Sequence, residues 1–170
     1  MRVAAIVPAY NEEQTIGPVI EALLECRRLE EIIVVSDGSD DRTAEVARRY
    51  PVKVLELEQN VGKGGAMKAG VNETNCEVLL FVDADLVGLH TEHIEALLEP
   101  VLSGRTAMSI GVFSEGRRST DLAQKLAPAL SGQRAVRKDL FDQVPNLEHS
   151  GYGVEIALTQ YAERHNVEIV

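Results

Sequence analysis

Residues 79–86 read LLFVDADL: four apolar residues, Leu79 to Val82, run straight into two acids, Asp83 and Asp85, with Ala84 between them. A short continuous apolar run predicts a strand covered on both faces. Such strands belong to mostly parallel sheets with helices packed on either side. The acids then stand at the carboxyl end of the strand, the edge where open α/β sheets take their ligands.

Working outward, the same pattern recurs. Val3 to Val7, closed by Pro8, predicts a first buried strand. Thr15 is placed to cap a helix in which Ile16, Val19, Ile20, Leu23 and Leu24 form one apolar face. Pro18 falls in its first turn, where the missing N–H does no harm. Glu31 to Val35 is a second strand, SDGSDD a turn, and Thr43 to Tyr50 a second helix. Val52 to Leu57 is a third strand. Asn60 to Gly65 is a glycine-rich loop feeding a helix through Ala66 to Val71, and Val78 to Val82 is the fourth strand. His93 to Leu102 reads as helix, Ala107 to Phe113 as strand, and Ser114 to Thr120 as a polar, mobile stretch. A helix over Val154 to Arg164 and a short strand over Val167 to Val170 close the chain. The order βαβαβαβαβ predicts an α/β fold in one domain over residues 1–170. The apolar ending VEIV is expected of a chain truncated, or minimal, at its C-terminal end.

A length of 170 residues favours one domain with a real core. Aromatic residues are 4% of the chain and Trp is absent, so aliphatic packing should dominate. The net charge of −10 disfavours a nucleic-acid partner. The one basic cluster, Arg134, Arg137 and Lys138 with Arg117 and Arg118, suits a small anionic ligand better than a polyanion. Cys26 and Cys76 are far apart and predict no disulfide framework. The apolar run in MRVAAIVPAYNEE is too short for a signal peptide. No stretch approaches the ~20 apolar residues of a membrane span. The expectation is a cytoplasmic protein with no integral membrane segment, for which a homodimer is a compatible assembly.

The polar residues gather at strand ends. Pro8, Tyr10, Asn11 and Glu12 follow strand one, and Ser36, Asp37 and Gly38 follow strand two. Asn60, Gly62, Lys63 and Gly64 precede the third helix, and Asp83 and Asp85 follow strand four. A parallel sheet brings all four groups to one edge. On an extended segment Asp83 and Asp85 point to the same side. Two such carboxylates suit a hard divalent cation, Mg²⁺ or Mn²⁺, with sites left for phosphate oxygens. A second account stays open, in which Asp85 caps the next helix and Asp83 is a satisfied strand-end acid. NVGKGG is either a ligand loop or a plain turn. It is not a P-loop, because G-x-x-x-x-G-K-[ST] is absent.

Taken together the segments resemble family 2 glycosyltransferases of the GT-A fold. The matching stretches are IVPAYNEE (6–13), IIVVSDGSDDRT (32–43), NVGKGGAMKAG (60–70), LLFVDADL (79–86), SGQRAVRKDLF (131–141) and GYGVEIAL (151–158). They run in the family's order. The resemblance implies a nucleoside diphosphate sugar donor, UDP- or GDP-linked, and transfer of a hexose to a hydroxyl acceptor with a divalent metal. Pro8, Ala9, Tyr10 and Glu12 would line the nucleotide pocket, with Glu12 near the ribose. Asp37 would accept a hydrogen bond from the base. Gly62 and Lys63 would lie along the nucleotide. Asp83, Ala84 and Asp85 would form the D-x-D motif, with Asp83 near the ribose and Asp85 binding the metal. Gln133 and Arg134 would contact the donor, and Glu155 would serve as general base. Where the family often has two acids, this chain has Ser36 and Asp37.

Other readings stay beside these. Asp37 also suits a turn, SGQRAVRKDLF a solvated basic helix start, and Glu155 a helix N-terminus favoured by the dipole. His90 and His93 read as surface residues at a helix start, and His149 is an outside candidate for a metal ligand. The resemblance places a metal-binding His beyond the last strand, past the end of this sequence. The GYGVE and SGQRA segments are also similar to glucosyl-3-phosphoglycerate synthases, which retain configuration, whereas the family is usually inverting. The competing function is a nucleotide-sugar-binding module without turnover. A nucleotidylyltransferase ranks lower, because PAYNEE is opposite in charge to the basic loop that it needs.

Overall fold

The computed structural model describes residues 1–111, 132–147 and 153–170. Its centre is a six-stranded sheet in the order β3-β2-β1-β4-β6-β5. The strands are β1 (Val3–Ala9), β2 (Glu31–Asp37), β3 (Lys53–Leu57), β4 (Val78–Phe81), β5 (Met108–Ile110) and β6 (Arg134–Arg137). The first four are parallel to one another, and β6 runs antiparallel to both β4 and β5. The helices are α1 (Ile16–Glu25), α2 (Thr43–Ala47), α3 (Gly62–Asn72), α4 (Thr91–Leu102), α5 (Lys138–Phe141) and α6 (Val154–Arg164).

The continuous apolar strands have the reason expected of them. Successive side chains point to opposite faces, and both faces are covered. On one face Val3, Ala5, Val7 and Ala9 of β1 join Val34, Val78 and Leu80 under α1 and α4. On the other, Ile6, Ile33, Val35, Leu79 and Phe81 pack against α3, α5 and α6. The sheet is thus held rigid from both sides, and its carboxyl edge forms a fixed platform.

Several local expectations need correction. Thr15 does precede α1, but its hydroxyl donates to the Glu12 carboxylate at 2.5 Å and caps no helix amide. Leu24 is 39% exposed, so the apolar face of α1 ends at Leu23. α2 stops at Ala47, short of Tyr50; tighter turns follow, with Arg49 and Tyr50 donating to Val46 and Ala47. Pro51 explains the stop, since the residue before proline avoids helical geometry. α3 begins at Gly62, earlier than glycine propensity predicts, because Gly64, Ala66 and Met67 are buried against the sheet. Residues 167–170 form no full strand: one parallel bridge joins Ile169 to Met108, and Ile110 donates to the Val170 carbonyl at 2.8 Å.

The largest correction is β6. The resemblance has SGQRAVRKDLF contacting the donor, and its alternative is a solvated basic helix start; residues 134–137 instead form a strand between β4 and β5. The basic cluster is dispersed by that geometry. Arg134 has no exposed surface, Arg137 pairs with Asp139 at 2.5 Å, and Lys138 lies 3.6 Å from Asp142. Arg117, Arg118, His149 and the polar stretch 114–120 lie outside the described residues, as do Val112 and Phe113 of the expected fifth strand.

Candidate active site

The carboxyl ends of β1, β2 and β4 and the start of α3 enclose a cleft of about 290 Å³, near the lower end of small-molecule sites. Pro8, Ala9, Tyr10 and Glu12 contribute the wall after β1. Asp37 comes from the end of β2, and Asn60, Gly62, Lys63 and Ala66 from the start of α3. Asp83, Ala84 and Asp85 close the third side, after β4. The four sequence groups therefore do meet at one edge.

The two acids of D-x-D differ more than an extended segment would allow. β4 ends at Phe81, and Ala84 and Asp85 sit in a turn. Asp83 is fully engaged: its Oδ1 accepts from Lys63 Nζ at 2.5 Å and its Oδ2 from Gln133 Nε2 at 2.8 Å. Asp85 is exposed, and no hydrogen bond or ion pair joins it to another described residue. Hard carboxylate oxygens suit Mg²⁺ or Mn²⁺. Asp85 thus fits such an ion, provided ligand or water oxygens complete the shell. Among the described residues no group of three His, Cys, Asp or Glu could hold a metal by itself.

Asp37 is 3% exposed, and its Oδ1 accepts the Val61 N–H at 2.8 Å. It therefore ties the end of β2 to the loop before α3 while still facing the cleft. Asn60 continues that loop by accepting the Gly62 N–H at 3.0 Å. Glu12 is set from both sides. Its N–H donates to Thr43 Oγ1 at 2.8 Å, and its carboxylate takes the Thr15 hydroxyl.

Gln133, Arg134 and Glu155 do not line the cleft. Gln133 is 3% exposed and works through Asp83. Arg134 lies beneath α6, where its guanidinium donates to the Glu155 carbonyl at 3.0 Å. Burial pushes Arg134 down to about 10, against the pull of the Glu155 and Asp83 charges; it stays cationic at neutral pH. The Glu155 carboxylate is 2.5 Å from Lys63 Nζ, so one ammonium serves two acids. Burial opposes the charge on Lys63, but Asp83 and Glu155 outweigh it and hold its pKa above the ordinary lysine value.

Sequence reasoning missed Gly132, which backs directly onto Asp83. It also missed the loop 39–43, where Asp41 and Thr43 support Glu12 and Glu13. The signal for the second was present in the turn residues SDGSDD. His90 and His93 do sit at the start of α4, the His90 N–H pointing to His93 Nδ1 at 3.3 Å.

The fold is shared with known proteins. Glucosyl-3-phosphoglycerate synthase from Mycobacterium tuberculosis, solved with Mn²⁺, UDP-glucose and phosphoglyceric acid, superposes with a TM-score of 0.78 at 30% identity, over 96% of this chain and 65% of that one. The enzyme of that name from Petrotoga mobilis is 26% identical, across 100% of this chain and 63% of its own length. Dolichyl-phosphate beta-glucosyltransferase from Drosophila melanogaster is 43% identical over 50% of this chain and 31% of its own length. The chain thus spans at most about two thirds of these relatives. Residues 4–154 match the model of glycosyl transferase family 2, and with that match and its GT-A fold the chain belongs to this family.

Proposed function

We propose that the protein transfers a hexose from a nucleoside diphosphate sugar, in the first place a UDP-sugar, to a hydroxyl acceptor. The observation that carries this reading is the meeting of Glu12, Asp37, Lys63, Asp83 and Asp85 in one cleft at the carboxyl edge of a parallel sheet. The solved relative with UDP-glucose supports the choice of donor.

In this reading the base reaches Asp37, whose second oxygen is left to accept a ring N–H. The ribose lies between Glu12 and Asp83. The diphosphate faces the start of α3, where backbone N–H groups and the helix dipole favour anions. Asp85 is the residue that would hold Mg²⁺ or Mn²⁺. The chemistry that a divalent cation would supply there is stabilisation of the negative charge growing on the leaving diphosphate. Lys63 and Gln133 fix Asp83 so that it meets the donor in one orientation. Glu155 is the candidate base for the acceptor hydroxyl. It lies 2.5 Å from Lys63 Nζ, behind the cleft wall. Residues 1–170 acting as one catalytic domain, and a cytoplasmic site of action, belong to the same proposal; no helix among the described residues is long and apolar enough to cross a membrane.

The test is calorimetric titration of UDP and GDP, with and without Mn²⁺, followed by turnover of UDP-glucose with 3-phosphoglycerate and with a prenyl phosphate. Metal-assisted UDP binding and a glycosylated product are expected. The anomeric coupling in NMR of the product then decides between retention and inversion. Binding without transfer or hydrolysis would favour the binding-module reading. A folded protein that takes neither nucleotide would overturn both.

A further inference from the structure

Lys63 stands between two carboxylates that belong to different parts of the fold. Asp83 follows β4 and lines the cleft, whereas Glu155 opens α6 and does not. The ammonium is 2.5 Å from an oxygen of each. The side chain of Lys63 is 19% exposed and that of Glu155 only 7%, so water screens their contact poorly. Arg134 holds the carbonyl of the same residue from beneath. The first turn of α6 is therefore tied to α3 through one flexible, cationic side chain.

We propose that Lys63 is a positioning residue that couples the donor cleft to α6, and that a nucleoside diphosphate entering the cleft draws its ammonium away from Glu155. The donor-competition half rests on the function proposed above. Gly62 and Lys63 line the cleft at the start of α3, so a diphosphate placed there lies within the lysine's sweep. The diphosphate offers several anionic oxygens against the single carboxylate of Glu155. A lysine stem is long and has several rotatable bonds, and Asp83 keeps one anchor for it. Once the ammonium shifts, the Glu155 carboxylate is uncovered and the first turn of α6 loses its tie to α3, while Arg134 still holds the Glu155 carbonyl. The acid on the acceptor side then becomes available only after the donor has bound, which imposes an order on the two substrates.

Hydrogen exchange on the full chain tests this, in wild type, Lys63→Met and Lys63→Arg. By helix geometry the amides of Leu158 and Thr159 bond to the carbonyls of the first turn of α6. Without ligand, K63M should speed their exchange by about tenfold or more, and K63R should hold it near wild type. Saturating UDP with Mn²⁺ should slow exchange across residues 60–66 in wild type and speed it at Leu158 and Thr159. In K63M, UDP should leave α6 unchanged. Wild-type exchange at Leu158 and Thr159 in free K63M would overturn the tie. Protection of 60–66 by UDP with no change in α6 would overturn the competition. Failure of UDP to protect any segment would count against the donor site itself and against donor competition, while the free-protein comparison still decides the tie. Should K63M fail to fold, Glu155→Gln, which removes the charge and keeps the size, must give the same loosening of α6 for the tie to stand.

Discussion

A Cβ placed on Gly132 would lie 2.2 Å from Oδ2 and 2.5 Å from Oδ1 of Asp83. The carboxylate packs flat against a residue that has no side chain, and it cannot step aside freely because Lys63 and Gln133 hold its two oxygens. Gly132→Ala must therefore move Asp83. Forced overpacking costs about 1–3 kcal/mol, and here it falls on the cleft. UDP affinity should drop about tenfold, measured by calorimetry, with a smaller effect on thermal stability. Unchanged affinity in a folded variant would mean that the position of Asp83 is irrelevant to the donor.

The two acids of the D-x-D motif should respond in opposite ways to removal. Asp85 is exposed and has no partner among the described residues. Asp85→Ala should then leave stability within about 0.5 kcal/mol of wild type while abolishing the Mn²⁺ dependence of UDP binding. Asp83→Ala strips Lys63 of one of its two carboxylates. It should lower stability by about 1–3 kcal/mol, as loss of a charged hydrogen-bond partner does. Thermal melts paired with titrations at matched Mn²⁺ check both. A Tm loss in Asp85→Ala matching that in Asp83→Ala would sink the distinction.

What could be read from the sequence follows from the range of the forces involved. The runs at Val3–Val7, Glu31–Val35 and Val78–Val82 are covered on both faces, so burial alone marks them. Their order then brings Glu12, Asp37, Lys63 and Asp83 to one edge without any knowledge of contacts. β6 was not legible, because Arg134 reads as solvated until Glu155 and α6 cover it. That cover comes from residues far along the chain, and no local pattern carries it. The sharing of Lys63 between Asp83 and Glu155 was hidden for the same reason. Gly132 looks like an ordinary turn glycine until Asp83 is seen against it.

Gly38 was legible as a turn residue in SDGS, and the structure supplies a stronger reason for it. Its φ is +65°, and a Cβ there would lie 2.4 Å from the backbone nitrogen of Asn60. Left-handed geometry costs an alanine about 1–2 kcal/mol, and a backbone neighbour cannot rotate away as a side chain can. Gly38→Ala should thus destabilise by about 2–4 kcal/mol, combining that strain with overpacking. The shift should spread to the Asp37–Val61 bond, which spans the same two loops. Urea unfolding gives the first quantity, and faster exchange of the Val61 amide shows the second. A variant as stable as wild type would show that the loops are not locked together.

Asp41 supports the cleft from one step away, and its support should depend on pH. Its Oδ1 accepts from the amide of Thr43 at 2.9 Å and from the Thr43 hydroxyl, and its Oδ2 accepts from the Glu13 amide at 3.0 Å. Burial alone would raise its pKa, but these bonds outweigh burial and hold it below the ordinary value of 3.8. A carboxyl held low in the folded state adds stability that is complete above the unfolded value and disappears as pH falls through the folded one. Asp41→Asn should therefore cost about 0.5–1.5 kcal/mol at neutral pH, the range for one net hydrogen bond, because the amide keeps one acceptor oxygen and loses the charge and the other. The gap from wild type should narrow below pH 3.8 as wild-type Asp41 takes up its proton. Urea unfolding at neutral pH and at about pH 3 measures both ends of that window. A gap that stays constant with pH would mean that the shape of Asp41, and not its charge, holds Thr43 in place beneath Glu12.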